Sequence, residues 1–153
     1  MSSEPLRIFS TRKVRPTAIE DHHYIPTMKI KTLSLTKKED KRGVLVNVYP
    51  EITRNIKHIF YATINAGHVR GNHYHKRKLE WLHVVKGSVT VVLTDIFTRE
   101  KAEIIVTAQE PVLVEVPINH EVKVLNHTRE EAVILALLDD PHDPKDPDIF
   151  VLS

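Results

Sequence analysis

The chain has no cysteine among its 153 residues. That removes disulfides and thiolate metal sites together and leaves any bound metal to histidine and carboxylate ligands. Only four glycines are present, few for a chain with so many turn-like breaks. The longest wholly apolar run, Ala132–Leu138, is far shorter than the roughly 20 residues a membrane helix needs. The N-terminus MSSEPLRIFSTRKVRP carries charges without an apolar signal core, so export is not indicated and the expected location is the cytoplasm. No dense basic run with interleaved aromatics occurs, which argues against a nucleic-acid partner.

What remains is a soluble chain of a size for one domain with a real hydrophobic core. Its net charge of +2 hides a polarity. Residues 1–43 carry ten Lys/Arg against five Asp/Glu, whereas residues 128–153 carry two against seven. The asymmetry fits two solvated surfaces or a head-to-tail contact between ends or subunits. Residues 1–27 show little periodicity and are expected to form an extension that could serve as a subunit-contact arm. His22 and His23 within it are poor co-ligands, because neighbours on an extended chain point to opposite faces.

From Met28 onward short apolar alternations are separated by charged breaks. They predict strands at 29–35, 43–49, 57–64, 72–75, 79–86, 88–96, 102–107, 111–116, 120–126, 131–138 and 149–152. No stretch has a useful helical period. Many short strands spaced about ten residues apart predict an all-β antiparallel sandwich or barrel, the jelly-roll group included, over residues 28–153. The segment 139–148 holds three prolines and five aspartates and reads as an exposed loop before the last strand.

Chemistry concentrates in Gly67 to Gly87, GHVRGNHYHKRKLEWLHVVKG. His73 and His75 share one face of a strand, because side chains alternate with period two. A turn through residues 76–78 returns the chain and brings Glu80 beside them. On the returning strand Glu80, Leu82 and Val84 share a face, while Trp81 and His83 share the other. His83 is thereby excluded from the site, and Trp81 is expected in the core or a subunit interface. Two imidazoles and a carboxylate suit a divalent first-row metal. His120, in ValProIleAsnHisGlu, offers one more nitrogen from a separate strand.

The spacing Gly67, five residues, His73, one residue, His75, four residues, Glu80, six residues, Gly87 resembles the first cupin motif at every defined position. Of the second motif only Pro117, His120 and Asn126 match. ArgGlyAsnHisTyrHis (70–75) is similar to a stretch of dTDP-4-dehydrorhamnose 3,5-epimerases, and more so to the C-terminal cupin domain of capsular polysaccharide-assembling reductases. Residues 79–93, with 40–45 and 137–146, resemble nucleotide-sugar 3,4-ketoisomerases. The resemblance covers roughly residues 28–152. It implies a double-stranded β-helix, the cupin jelly-roll barrel, and usually a homodimer.

For function the resemblance implies a nucleotide-linked keto-sugar as partner and proton abstraction alpha to its ketone. His73 matches the base, with His75 as its partner or a second acid/base. Imidazole suits the role, since its ordinary pKa of about 6.5 lies near the working pH. Arg70 would stabilise the enolate or grip the diphosphate, and Asn72 and Lys78 are further candidate substrate contacts. The competing scheme places one divalent metal (Zn, Mn, Fe or Ni) on His73, His75, Glu80 and His120, and the histidines are then not free bases. The epimerases carry their general-acid tyrosine after the second motif, but this chain has no tyrosine beyond Tyr74. That leaves Tyr49, Tyr61 and Tyr74 as candidates and disfavours a rhamnose-type 3,5-epimerase. A metal-dependent cupin enzyme of another class, such as a dioxygenase or sugar-phosphate isomerase, and a non-catalytic sugar-binding cupin are the rival readings.

Overall fold

The computed structural model describes residues 28–48 and 55–153. The expectations for residues 1–27, for His22 and His23 and for Tyr49 lie outside them. The described residues form eleven strands: β1 (Thr32–Ser34), β2 (Thr36–Asp40), β3 (Gly43–Asn47), β4 (His58–Ile64), β5 (Val69–His73), β6 (Glu80–Lys86), β7 (Ser88–Asp95), β8 (Lys101–Thr107), β9 (Val112–Val116), β10 (His120–Leu125) and β11 (Ala132–Leu138). They form a five-stranded sheet in the order β1-β9-β6-β11-β4, a four-stranded sheet β5-β10-β7-β8 and the separate hairpin β2-β3. Every pairing is antiparallel. This is the expected all-β jelly roll. Among the described residues there is no helix long and apolar enough to cross a membrane.

The period-two pattern produces the core directly. Leu82 and Val84 of β6, Val89, Val91 and Leu93 of β7, Val122 and Val124 of β10 and Ile134 of β11 meet between the two sheets. Strand β6 does not alternate between buried and exposed, because the five-stranded sheet is covered on both faces. Trp81, Leu113 and Leu137 form a second cluster on its other side, closed over by Leu33, Leu35, Val48 and Ile56. Trp81 is therefore core. Its indole N–H donates to Glu115 Oε1 at 3.2 Å. His83 lies on that same far side, buried, with Nδ1 at 3.3 Å from the Val112 carbonyl.

Three strand assignments differ from the sequence pattern, the first being the strand expected at 72–75, which is β5 at Val69–His73 and stops short of His75. LysLysGluAsp (37–40) reads as a charged break, yet it belongs to β2, all five of whose residues are exposed. With both faces in water, a strand needs no apolar alternation. At the other end, 149–152 contributes only a bridge between Tyr74 and Phe150. The scarcity of glycine is met by other residues that accept left-handed backbone. Arg99 (φ 69°) and Asn119 (φ 59°) sit at turns. At the first of these, Asp95 Oδ1 accepts N–H bonds from Phe97 and Thr98 at 2.8 and 3.0 Å.

Candidate active site

The site begins with an irregularity in β5. The pairing with β10 shifts register so that Val122 faces His73 while Lys123 faces Gly71, leaving Asn72 as an extra residue. Gly71 (φ 94°) and Asn72 (φ 62°) are both left-handed. A Cβ on Gly71 would run into the Val122 carbonyl oxygen, so the close approach of the two backbones requires glycine here. The bulge abolishes strict in–out alternation. Arg70, Asn72 and His73 consequently all line the same cavity.

That cavity, about 390 Å³, lies between the sheets where edge strand β4 faces edge strand β5. Phe60 and Ala62 of β4, Leu82 of β6, Val122 and Val124 of β10 and Ile134 of β11 supply apolar walls. Arg70 spans the seam, donating from Nε to the Thr63 carbonyl on β4 at 2.7 Å. That carbonyl belongs to the sheet edge, so one bond both tethers the guanidinium and joins the two edges. Arg70 makes no ion pair among the described residues, which leaves its charge available at the cavity mouth.

His73, His75 and Glu80 converge. One ligand atom from each lies within 4.8 Å of the others, and the two imidazole centroids are 5.1 Å apart. His73 and Glu80 line the cavity; His75 sits behind them, only 5% exposed. The strand ends at His73, and it is the backbone bridge of Tyr74 to Phe150 that carries the chain on to His75. His73 Nδ1 is 3.1 Å from the Gly71 carbonyl and His75 Nδ1 is 2.6 Å from that of Asp148. A carbonyl only accepts, so each ring carries an N–H on Nδ1 and turns Nε2 away from that bond.

Burial governs the charges. Glu80 is 4% exposed, and desolvation, partly opposed by the Lys78 ammonium, pushes its carboxyl up to about 7. Burial likewise lowers the His75 imidazole. His75 Nε2 and Glu80 Oε1 are 3.8 Å apart. With one group's basicity reduced and the other's acidity reduced, this is a poor ion pair near neutral pH. Among the described residues Glu80 Oε1 is buried with no hydrogen-bond partner, an arrangement that costs on the order of 1–3 kcal/mol unless something else occupies the oxygen. The orphaned oxygen and two aimed imidazole nitrogens are a donor set that fits a divalent first-row cation.

Not every candidate arrives. His120 opens β10 next to β7, where Nδ1 donates to the Ile118 carbonyl at 2.8 Å and Nε2 lies 3.7 Å from Asp95 Oδ2. The point of β10 that reaches the site is Val122, paired with His73, so His120 is not brought to the other three. Lys78 is 3% exposed and near enough to act on Glu80 and His75, but it does not line the cavity. Tyr61 is 73% exposed and Tyr74 stacks on Phe150. Among the described residues no tyrosine lines the cavity. Asn126 holds the scaffold together. Its side-chain amide donates to the Ile64 and Glu130 carbonyls, and its main-chain carbonyl accepts the Gly67 N–H at 2.8 Å. The residue that sequence reasoning passed over is Asp148, buried at the end of the acidic segment.

Residues 38–150 match the polysaccharide biosynthesis C-terminal domain, well over half of the chain. The chain belongs to that family. Among solved structures, this family member is similar to a 3,4-ketoisomerase from Helicobacter canadensis, with 28% identity and a TM-score of 0.68 over 80% of this chain and 90% of that one. The 3,4-ketoisomerase from Thermoanaerobacterium thermosaccharolyticum, solved with TDP-4-keto-6-deoxyglucose, shares 22% identity and a TM-score of 0.67 over 79% of this chain and 86% of that one. Capsular polysaccharide assembling protein CapF from Staphylococcus aureus shares 22% identity and a TM-score of 0.62. The alignment there covers 78% of this chain and 32% of CapF, so the chain spans about a third of that protein. The structural neighbours also include dTDP-4-dehydrorhamnose 3,5-epimerases. No curated protein matches the sequence.

Proposed function

We propose that this protein is a nucleotide-sugar isomerase or epimerase acting on a 4-keto-hexose, with His73 as the base. The observation that carries the reading is the bulged β5, which sets Arg70, Asn72 and the Nε2 of His73 into one half-apolar cavity. A volume of about 390 Å³ suits a hexose, with the nucleoside diphosphate extending through the open seam past Arg70. The likeness to ketoisomerases, one of them holding TDP-4-keto-6-deoxyglucose, supports the substrate class.

In the isomerase form His73 Nε2 takes the proton from C3, and the C3–H electrons become the C3–C4 double bond of an enediolate. Arg70 and Asn72, which line the cavity, would hold the developing oxyanion and the neighbouring hydroxyl. Return of that proton to C4, with the O3 proton passing to O4, leaves the 3-ketone and a C4 hydroxyl. The epimerase form returns the proton to the same carbon on the opposite face. The cavity holds no tyrosine among the described residues to protonate that far face, which favours isomerisation.

A second reading has one specific observation behind it, the orphaned Glu80 oxygen within reach of both imidazoles. His73, His75 and Glu80 would hold one divalent cation, Zn, Mn, Fe or Ni, which when bound supplies polarisation of the substrate carbonyl. Arg70 and Asn72 would keep their substrate contacts in either scheme. A homodimer is part of the proposal. Edge strand β4 exposes Ile59, Phe60 and Tyr61, and Phe60 also lines the cavity, so a second copy pairing there would complete the cavity wall.

The test is incubation with TDP-4-keto-6-deoxyglucose in deuterium oxide. Deuterium is expected at a carbon next to the ketone, with loss of exchange in His73→Ala. Absence of both binding and exchange with this sugar and its UDP counterpart would sink the reading. Elemental analysis of the purified protein separates the two schemes, a stoichiometric first-row metal excluding His73 as a free base.

A further inference from the structure

We infer that Asp148 is the positioning residue of this site, fixing the tautomer and direction of His75 and the shape of the turn that carries the chain from His75 to Glu80. One residue supplies all the acceptors. Its carboxylate takes the backbone N–H of Lys76 on Oδ1 and those of Arg77 and Lys78 on Oδ2, each at 3.0 Å. Its own main-chain carbonyl takes the Nδ1–H of His75 at 2.6 Å. Four consecutive residues are thus held by a single aspartate some seventy positions away in sequence.

The surroundings lock that aspartate in turn. Asp148 is 3% exposed and adopts a left-handed backbone, φ 55°, a conformation that costs a non-glycine residue roughly 1 kcal/mol and persists only where the neighbours enforce it. Two residues on, Phe150 exchanges backbone hydrogen bonds with Tyr74 at 2.9 and 3.0 Å and stacks on its ring. Lys76 Nζ lies 4.2 Å from the Phe150 ring centroid. On the solvent side Arg77 donates to Asp140 Oδ2 at 2.9 Å and to the Asp146 carbonyl at 3.1 Å. The acidic, proline-rich segment is therefore a strap tied at several points to the loop between the site's histidine strand and its glutamate.

The consequence is chemical. With Nδ1–H committed to the Asp148 carbonyl, His75 offers only Nε2 toward Glu80, whether that nitrogen carries a proton, shares one or binds a cation. Such outer partners set ring orientation and ligand basicity, and losing one costs about 10–100-fold in activity or metal affinity. The effect on turnover rests on His73, His75 and Glu80 being the working site; the effect on the His75 ring does not.

The test compares wild type, Asp148→Asn and Asp148→Gly by nitrogen-15 correlation spectroscopy of the histidine rings, after confirming folding by thermal melts. Both variants retain the main-chain carbonyl that meets His75. Asn keeps a left-handed residue and one acceptor oxygen, whereas Gly removes the carboxylate that clamps residues 76–78 against that carbonyl and so frees the ring from it. Wild-type His75 is expected as a single Nδ1–H tautomer with a slowly exchanging ring proton. Asp148→Gly is expected to give mixed tautomers and fast exchange, and Asp148→Asn an intermediate spectrum. Deuterium incorporation into TDP-4-keto-6-deoxyglucose is expected to fall tenfold or more in kcat with KM changed less than about threefold. A folded Asp148→Gly protein with an unchanged His75 spectrum would overturn the inference. So would a wild-type His75 in the Nε2–H tautomer, a readout that serves even if both variants unfold. A fixed wild-type tautomer lost in the variants, with no exchange in any of the three proteins, upholds the positioning of His75 and instead removes the proposed reaction.

Discussion

Glu80 is the residue whose environment has the largest measurable consequence. Its carboxyl ionises near pH 4.5 when exposed in the unfolded chain but only at about 7 when buried. Between those values the folded state holds a proton that the unfolded state has released. Stability therefore falls as pH rises through this window, and the loss is complete above it. The amount is at most roughly 3 kcal/mol. Glu80→Gln removes the titration while keeping the shape. In chelator-treated protein the variant is expected to be more stable than wild type at about pH 8, with the difference closing toward about pH 5, as read from denaturant midpoints. A variant less stable than wild type at the higher pH would show that something neutralises the carboxylate in the folded state.

At the scale of the element, the bulge in β5 decides where the side chains point. Gly71 and Gly67 are both left-handed glycines, but they meet different surroundings. An added Cβ at Gly67 finds nothing within 4 Å, whereas at Gly71 it strikes the Val122 backbone. Gly67→Ala is expected to cost about 1 kcal/mol, the backbone term alone. Gly71→Ala is expected to cost roughly 2 kcal/mol more, because β5 and β10 must separate. It should also displace His73, so that exchange activity falls further than stability. Thermal melts of the two variants, run beside the deuterium assay, make the comparison. Equal costs at the two positions would mean that β10 yields without strain.

At the scale of the molecule, the two sheets leave unequal surfaces. The hairpin β2-β3 pairs with neither sheet and exposes Val44 and Leu45, while edge β4 exposes Ile59 and Tyr61. A two-stranded hairpin is at best marginal alone in water, so partners for these surfaces are expected. Sedimentation should give a dimer, and Ile59→Lys combined with Tyr61→Lys should shift it to monomer and weaken turnover, since Phe60 between them lines the cavity. A wild-type monomer at micromolar concentration would remove the dimer from the proposal.

Period-two alternation is a local property, and whatever depended on it was legible in the sequence. It gave the strands of both sheets except the extent of β5, the inward set Glu80, Leu82 and Val84, and the placement of Trp81 and His83 on the opposite face. It also predicted the convergence of His73, His75 and Glu80 around a short turn, since the chain doubles back within seven residues. The tertiary structure decided what depends on register and on distant contacts. The His120 imidazole faces Asp95 because the start of β10 pairs beside β7 and meets β5 only at Val122. Arg70 and Asn72 join His73 in one cavity because of a bulge whose cause is a backbone contact across strands. Asp148, in a segment whose prolines and charges read as solvent-exposed, is buried because three backbone N–H groups and an imidazole some seventy residues away bind its oxygens. Composition reports how a segment treats water on average, and it is silent on which single carboxylate finds enough donors to leave water behind.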